Sequence, residues 1–431
     1  MTLLSKNPKV TIETHGCKLN QSDSLNLSLE LSQNGYLISD SKDDCDIYIL
    51  NTCTVTHVAD RKGRQSARSF KNQNPNSLVV VTGCYAQRAK DELEALPEVD
   101  LVFGNESKSE IVKSINSLLS ISSDESLLEI DQLMPSKNRA MIKIQEGCNQ
   151  ICSYCIVPRV RGREKSVEVN TLIDQIKKFE KLGFQEIVMT GTQLGSYGFD
   201  LQDMNLNKML KQVLENTTIP RIRVSSLQPQ EISNELLEIW ENKRLCKHFH
   251  IPMQSGSNQV LQKMRRRYTS DQFTGAIDLI NKNFKNASIT TDVIVGFPNE
   301  TESDFQLSKD LSKYSQFSDM HIFKFSKRPN TSAFFLNDNV DSMTKTSRSS
   351  ELTEIRLEMF KEFRHKQDLL TEEVLWENYN HSTNSIYGLT KNYIRVENHT
   401  SHPKTNSIQK VKLSFNPLNT PNFISATEIN S

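Results

Sequence analysis

The stretch EGCNQICSYCIVPRVRGRE, residues 146–164, sets Cys148, Cys152 and Cys155 in a C-x3-C-x2-C spacing. Three thiolates this close together are first of all metal ligands, and they are one short of a closed tetrahedron. Spacing alone leaves three readings open: a zinc knuckle completed from elsewhere, buried structural cysteines, or a [4Fe-4S] cluster whose fourth iron is free for a ligand. No second C-x2-4-C pair lies nearby, which favours the cluster. Three more cysteines stand singly further upstream, Cys17 in THGCKLNQSDS, Cys53 in NTCTV and Cys84 in VTGCYAQR. Cys45 and Cys246 sit in apolar surroundings without a motif and are assigned to packing.

The elements that must position these thiols are legible as periodicity. KVTIETHGC, CDIYILNTC, SLVVVTGC and VDLVFGN read as strands. Helical patterns lie between them, one over SDSLNLSLELSQNGY with Ser22 or Asp23 as its cap and one from Ala59 to Lys71. Such alternation predicts an α/β fold with a doubly wound parallel sheet over residues 1–125. Cys17, Cys53 and Cys84 each fall at the C-terminal end of a predicted strand, the edge where open parallel sheets hold ligands, so the three can converge. Gly16 and Gly83 precede two of them, as expected where backbone approaches a bulky group.

A Ser- and Asp-rich stretch predicts a linker over 126–138. From 139 to 368 the strand, loop and helix rhythm resumes through FQEIVMTG, RIRVSSL, HFHIPMQSG, SITTDVIVGFP and MHIFKFS, followed by the charged helix SELTEIRLEMFKEFRHKQDLL. That pattern suits an open or closed (β/α) barrel with its active face at the strand ends. Residues 369–431 read as a small all-β module in which Tyr387, Tyr393 and Phe415 either stack bases or fill the core, and core is the better reading for most of them.

Lys+Arg and Asp+Glu both total 52 in the 431 residues, so a polyanionic partner has to be met by local basic patches. The N-terminus has no apolar signal-peptide core, and no stretch approaches the ~20 apolar residues of a membrane span. A cytoplasmic protein is expected, and in that reducing compartment eight cysteines are not a disulfide framework.

With an aromatic residue before its last Cys, the 148–155 triplet resembles the signature of the radical S-adenosylmethionine (SAM) superfamily. Preceded by three dispersed cysteines, it is similar to the methylthiotransferase family over nearly the whole chain. The carrying motifs are GCKLNQSDS, NTCTVTHVADRKGRQ, TGCYAQR, GCNQICSYCIVPRVRGREKS, GTQLGSYG, HIPMQSGSNQVLQKMRRRYT and VIVGFPNETESDF. The resemblance implies a central radical-SAM partial (β/α) barrel and a C-terminal TRAM-like RNA-binding module. It implies two [4Fe-4S] clusters, one on Cys148, Cys152 and Cys155 to cleave SAM to a radical, the other on Cys17, Cys53 and Cys84 to deliver sulfur. The reaction implied replaces an unactivated C2–H of a tRNA adenine by C2–SCH3, which side-chain acid/base catalysis cannot do and a radical cofactor can. Implied partners are tRNA, an electron donor such as flavodoxin or ferredoxin, and a sulfur source, with no membrane.

By the same resemblance Tyr154, Thr190, Gly191, Gly195, Ser225, Ser226, Gln254 and Val295 contact SAM, although Gly and Ser at strand ends are also ordinary loop chemistry. Three basic runs are candidates for RNA: Arg61 and Arg64; Arg159, Arg161 and Arg163; and Arg265, Arg266 and Arg267. A solvated helix face is the competing reading for each run. GCKLN, NTCTVT, RVSSLQP and RRRYT look most like the family's branch acting on threonylcarbamoyladenosine beside the anticodon. Branches acting on isopentenyladenosine or on a ribosomal-protein aspartate are alternatives. So are a non-catalytic iron–sulfur RNA-binding protein and a zinc module. The chain departs from the branch at Gln228, where Glu is common, and at Asn299 and Asn330, where Gly is common; Asn tolerates the left-handed backbone that Gly supplies.

Overall fold

The computed structural model describes residues 7–43, 45–119, 138–416 and 423–428; the expected linker lies outside them except for Asn138. Strands β1 (Lys9–Thr14), β2 (Leu37–Ile38), β3 (Ile47–Thr52), β4 (Leu78–Gly83) and β5 (Leu101–Phe103) form a parallel sheet in the order β2-β1-β3-β4-β5. Its central strands are apolar on both faces because each face is covered. Ile47, Ile49 and Val80 meet Leu31, Tyr36 and Ile115 on one side, while Tyr48, Leu50 and Val81 meet Ala67, Phe70 and Tyr85 on the other.

Helix α1 (Lys18–Gln33) starts earlier than its sequence suggests, with Cys17 as N-cap. Ser22 and Asp23 are not caps but buried inside it. The Asp23 carboxylate is taken up by Lys108 (2.6 Å), Lys143 (3.0 Å) and Arg161 (3.0 Å), tertiary partners that outweigh the local preference of Asp for a helix start. Helix α2 (His57–Gln73) is capped by Thr56, and the short α3 begins at Cys84 (Cys84–Arg88).

The second unit opens at β6 (Arg139–Lys143). A short antiparallel pair, β7 (Gln145–Glu146) and β8 (Lys165–Ser166), brackets the cysteine loop. Strands β9 (Glu186–Thr190), β10 (Arg221–Val224), β11 (His248–His250), β12 (Ser288–Val295) and β13 (Asp319–Lys324) continue it. They pair in parallel as β10-β9-β6 and β11-β12-β13, and the bridges Ile222 to Leu245 and Ser226 to His250 join the two sheets into an open barrel. The charged helix runs over Ser342–His365, its start set by Asp341 Oδ1 accepting from the Met343 and Thr344 N–H groups.

Strands β14 (Thr371–Asn380), β15 (Ser385–Thr390), β16 (Arg395–His399), β17 (Ser407–Ser414) and β18 (Ile424–Glu428) close into a small barrel, β14-β15-β16-β18-β17. It is fastened to the central unit by Arg221, which donates to the Leu389 carbonyl (2.8 Å), and by Arg223, which donates to that of Lys391 (3.0 Å). Phe415 packs against its core. Tyr393 neither fills that core nor stands free for a base. It takes a φ of 65° and stacks on His248 of the central barrel, ring centroids 4.3 Å apart. No helix of the described residues is long and apolar enough to cross a membrane.

Candidate active site

Strands β1, β3 and β4 end side by side, Asn51 opposite Thr14 and Thr52 opposite Gly83, and the three single cysteines follow those ends. Gly16 and Gly83 take φ values of +105° and +99°. A Cβ at Gly16 would stand 3.1 Å from Cys53 Sγ, and one at Gly83 would stand 2.4 Å from the Thr52 carbonyl oxygen. Only glycine lets the strand ends close around the thiols in this way. Burial pushes the Cys53 thiol up to about 11, and Cys84 and Cys17 add to the rise, so the three sulfurs lie within electrostatic reach of one another. Asn20 ties the loops by donating to the carbonyls of His15 (2.7 Å) and Thr52 (3.0 Å).

The second triplet leaves the end of β7. Cys148 N–H donates to Gly162 O (3.1 Å) and Ser153 N–H to Met264 O (3.0 Å), so the loop is pinned at both shoulders. Gln150 N–H donates to Cys148 Sγ (3.3 Å) and Arg266 Nη1 to Cys152 Sγ (3.4 Å), contacts that favour thiolates. Burial and the neighbouring thiols push Cys155 up to about 12, and burial pushes Cys148 to about 11. A bound cation would reverse that and displace the protons. All six cysteines are free. Two sets of three soft donors, close backbone and N–H groups aimed at sulfur fit iron–sulfur clusters at both places.

The two triplets face each other across the domain boundary. Cys84 packs with Ile156 and Val160 in one apolar cluster. A single cavity is lined by Val55 and Thr56 from the first triplet's loops, Tyr154 and Cys155 from the second, and Gln254 and Asp292 from the barrel. Burial opposes ionisation of Asp292, yet hydrogen bonds with His250 and His321 hold its carboxyl well below the usual range. Those rings lie 3.3 and 3.1 Å away.

Of the residues expected at SAM, Tyr154 and Gln254 line this cavity, and Gln254 takes a φ of 62°. Thr190 ends β9, and Gln145 Oε1 holds the following loop by accepting from the N–H groups of Thr192 (2.9 Å) and Gln193 (3.0 Å). Gly191 packs on Gln145, and a Cβ at Gly195 would strike the Glu231 carboxyl. Ser225 and Ser226 follow β10, and Ser226 bridges to His250. Val295 is instead buried in the core, and Asp292 and Ile294 are the members of β12 that line the cavity.

The basic runs divide. Arg61, Arg159, Arg163, Arg265 and Arg267 are exposed, and Arg64 pairs with Glu92 at 3.0 Å. Arg161 does not face RNA: its side chain is 2% exposed and pairs with Asp23 and Glu146. Arg266 is drawn inward to Cys152 and packs over the Tyr268 ring at 4.8 Å. A charge run in sequence looks the same whether its members are solvated or paired, and these two found acids or sulfur. Sequence reasoning missed Asp292, Gln145 and Glu231; Asp292 in TTDVIV was the recoverable one, a charge inside an apolar strand.

Residues 9–104 match a family described as Uncharacterized protein family UPF0004, and residues 142–311 match the Radical SAM superfamily. The chain is similar to the Threonylcarbamoyladenosine tRNA methylthiotransferase MtaB of Bacillus subtilis (strain 168), at 34% identity over 97% of each chain. It is 39% identical to the protein of that name from Aquifex aeolicus (strain VF5), over 86% of this chain and 95% of the relative. It is 36% identical to the tRNA-2-methylthio-N(6)-dimethylallyladenosine synthase of Clostridium tetani (strain Massachusetts / E88), over 81% and 82%. Among solved structures, the radical S-adenosylmethionine methyltransferase TsrM from Kitasatospora setae superposes with a TM-score of 0.54 at 12% identity, covering 76% of this chain and 77% of that one. That likeness is one of fold.

Proposed function

The chain belongs to the radical SAM methylthiotransferase family, and from that premise we propose that it methylthiolates C2 of N6-threonylcarbamoyladenosine at position 37 of tRNA. The observation that carries the reading is the cavity bounded at once by the loops of both cysteine triplets. A sulfur source and a radical source have to reach one carbon, and this is the space they share.

In this reading Cys148, Cys152 and Cys155 hold one [4Fe-4S] cluster and Cys17, Cys53 and Cys84 a second. Such clusters with SAM supply radical abstraction of an unactivated hydrogen and the sulfur that replaces it. The chain's own residues position and insulate. Arg266 and the Gln150 N–H stabilise the Cys152 and Cys148 thiolates. Tyr154 and Gln254 border the SAM space, and the Thr190–Gly195 loop and Ser225 and Ser226 follow the ends of the paired strands β9 and β10. Ile156 and Val160, packed on Cys84, exclude water between the triplets. Exposed Arg61, Arg159, Arg163, Arg265 and Arg267 supply phosphate contacts to the RNA. The C-terminal barrel is a TRAM-like RNA-binding module, and a flavodoxin or ferredoxin supplies electrons in the cytoplasm while a separate donor supplies sulfur.

Nucleoside mass spectrometry of tRNA from a deletion strain tests the substrate. Loss of 2-methylthio-N6-threonylcarbamoyladenosine with accumulation of its unthiolated precursor is expected. Loss of the methylthio-dimethylallyl nucleoside instead would overturn it.

A further inference from the structure

Lys18 follows Cys17 directly, and its side chain turns from the N-terminal domain toward the central barrel. Its ammonium lies 5.7 Å from the centroid of the Tyr393 ring, which is stacked on His248 and covered by Arg223 at 5.0 Å. The strongest charges acting on Lys18 are those of Arg223, Arg139, Glu186 and Asp292. Each of these is already engaged. Arg223 pairs with Glu186 at 2.8 Å, Arg139 with Glu377 at 2.5 Å, and Asp292 with His250 and His321. The Lys18 ammonium has no hydrogen bond or ion pair among the described residues. It is an unpaired cation within electrostatic reach of Asp292, which lines the shared cavity.

We propose that the Lys18 ammonium receives the carboxylate of the threonyl group carried on N6 of the target adenine, and so selects it over hydrocarbon-substituted adenosines. The inference rests on the substrate reading given above. The chemistry follows from the two substituents that relatives of this chain act upon. A threonylcarbamoyl group ends in a carboxylate, and a dimethylallyl group is hydrocarbon throughout. Relatives named for either substrate align with this chain at 34–39% identity, so the shared fold does not discriminate and individual side chains must. A shielded ammonium without an anion is costly, and a bound carboxylate relieves that cost while a hydrocarbon leaves it standing. Sites built to pair a polar substrate group reject analogues lacking it far more strongly than apolar pockets reject an extra methylene. The stacked Tyr393 and His248 rings stand as a rigid wall beside the ammonium. Glu186 does not fill the role of counter-ion, because Arg223 occupies both of its oxygens.

The test uses the full-length holoenzyme, reconstituted anaerobically, and three anticodon stem-loop RNAs. They carry threonylcarbamoyladenosine, its carboxamide analogue, or dimethylallyladenosine, and kcat/KM for methylthio product is read by mass spectrometry. With the wild-type enzyme the carboxamide is expected to react at least tenfold less efficiently than the acid, on the scale of one lost charge-assisted contact. Lys18→Met is expected to lower kcat/KM on the acid by a similar factor and to collapse the acid-to-amide ratio toward one, with Lys18→Arg restoring much of it. A merely structural role would lower both substrates together and leave the ratio intact. Equal turnover of acid and amide by the wild-type enzyme overturns the inference without any variant, as does a preserved ratio in Lys18→Met. If the wild-type enzyme modifies only the dimethylallyl RNA, the substrate reading itself fails and takes the inference with it.

Discussion

Arg328 Nη2 lies 2.6 Å from Asp60 Oδ2, joining the loop after the last barrel strand to the helix that follows Cys53. The same carboxylate holds Arg88 at 3.0 Å, and both guanidinium groups also reach Thr54 Oγ1 at 2.8 Å. Asp60 and Arg328 are almost fully buried. This buried ionic hub therefore ties the first cysteine triplet's loops to the barrel, as the Asp23 cluster with Lys143 and Arg161 does from the other side of Cys17.

Asp60→Ala leaves two arginines buried without their anion. A loss of about 3–5 kcal/mol in unfolding free energy is expected, the cost of breaking a buried pair from one side. Urea titration of the variant against wild type measures it, and a loss below ~1 kcal/mol would show that solvent reaches the hub.

The two triplets divide their labour. Cys148→Ala is expected to abolish S-adenosylmethionine cleavage, while Cys53→Ala retains some cleavage and loses sulfur insertion. Chromatography of 5′-deoxyadenosine beside nucleoside mass spectrometry reads both, and equal loss of cleavage in the two variants would contradict the division.

Metal content follows from the same assignment. Anaerobically purified wild-type protein should carry about eight irons with matching sulfide, and the triple variant Cys17→Ala, Cys53→Ala, Cys84→Ala about four. Zinc without sulfide would sink the enzyme reading.

Glu231 brings a pH dependence. Burial pushes its carboxyl from 4.5 up to about 7, against the N–H it accepts from Gln228. A carboxyl raised on folding binds more protons folded than unfolded, so its contribution is intact below 4.5 and lost as pH rises through about 7. Wild-type stability should therefore fall, relative to Glu231→Gln, across that window. Parallel urea midpoints for the two proteins between those pH values would disprove the shift.

Asn299 and Asn330 take φ values of 61° and 66°, the left-handed conformation expected from the glycines common there. Asn330→Gly should leave stability within ~1 kcal/mol of wild type, whereas Asn330→Val should cost about 1–3 kcal/mol through backbone strain. Thermal unfolding of the pair decides, and equal values would mean the turn relaxes.

The sequence by itself determined the parallel sheet, the open barrel, the small β module and the two cysteine triplets. Each of these is written locally, as an apolar period, a strand end or a short ligand spacing, so no knowledge of distant partners is needed. Helix α1 shows where local reading stops: Asp23 looks like a cap and is a buried acid, because Lys108, Lys143 and Arg161 reach it from 85, 120 and 138 positions away. Arg161 and Arg266 belong to basic runs that read as RNA contacts, and packing gave one to carboxylates and the other to a cysteine sulfur. Tyr393 left its own barrel for the neighbouring one, and Lys18 turned inward beside it. Arg328 found Asp60 across 268 positions. A charge or an aromatic ring records only that it needs a partner. Which partner it receives, and whether it meets solvent, substrate or another domain, is settled when the domains pack, and tertiary structure alone decided that here.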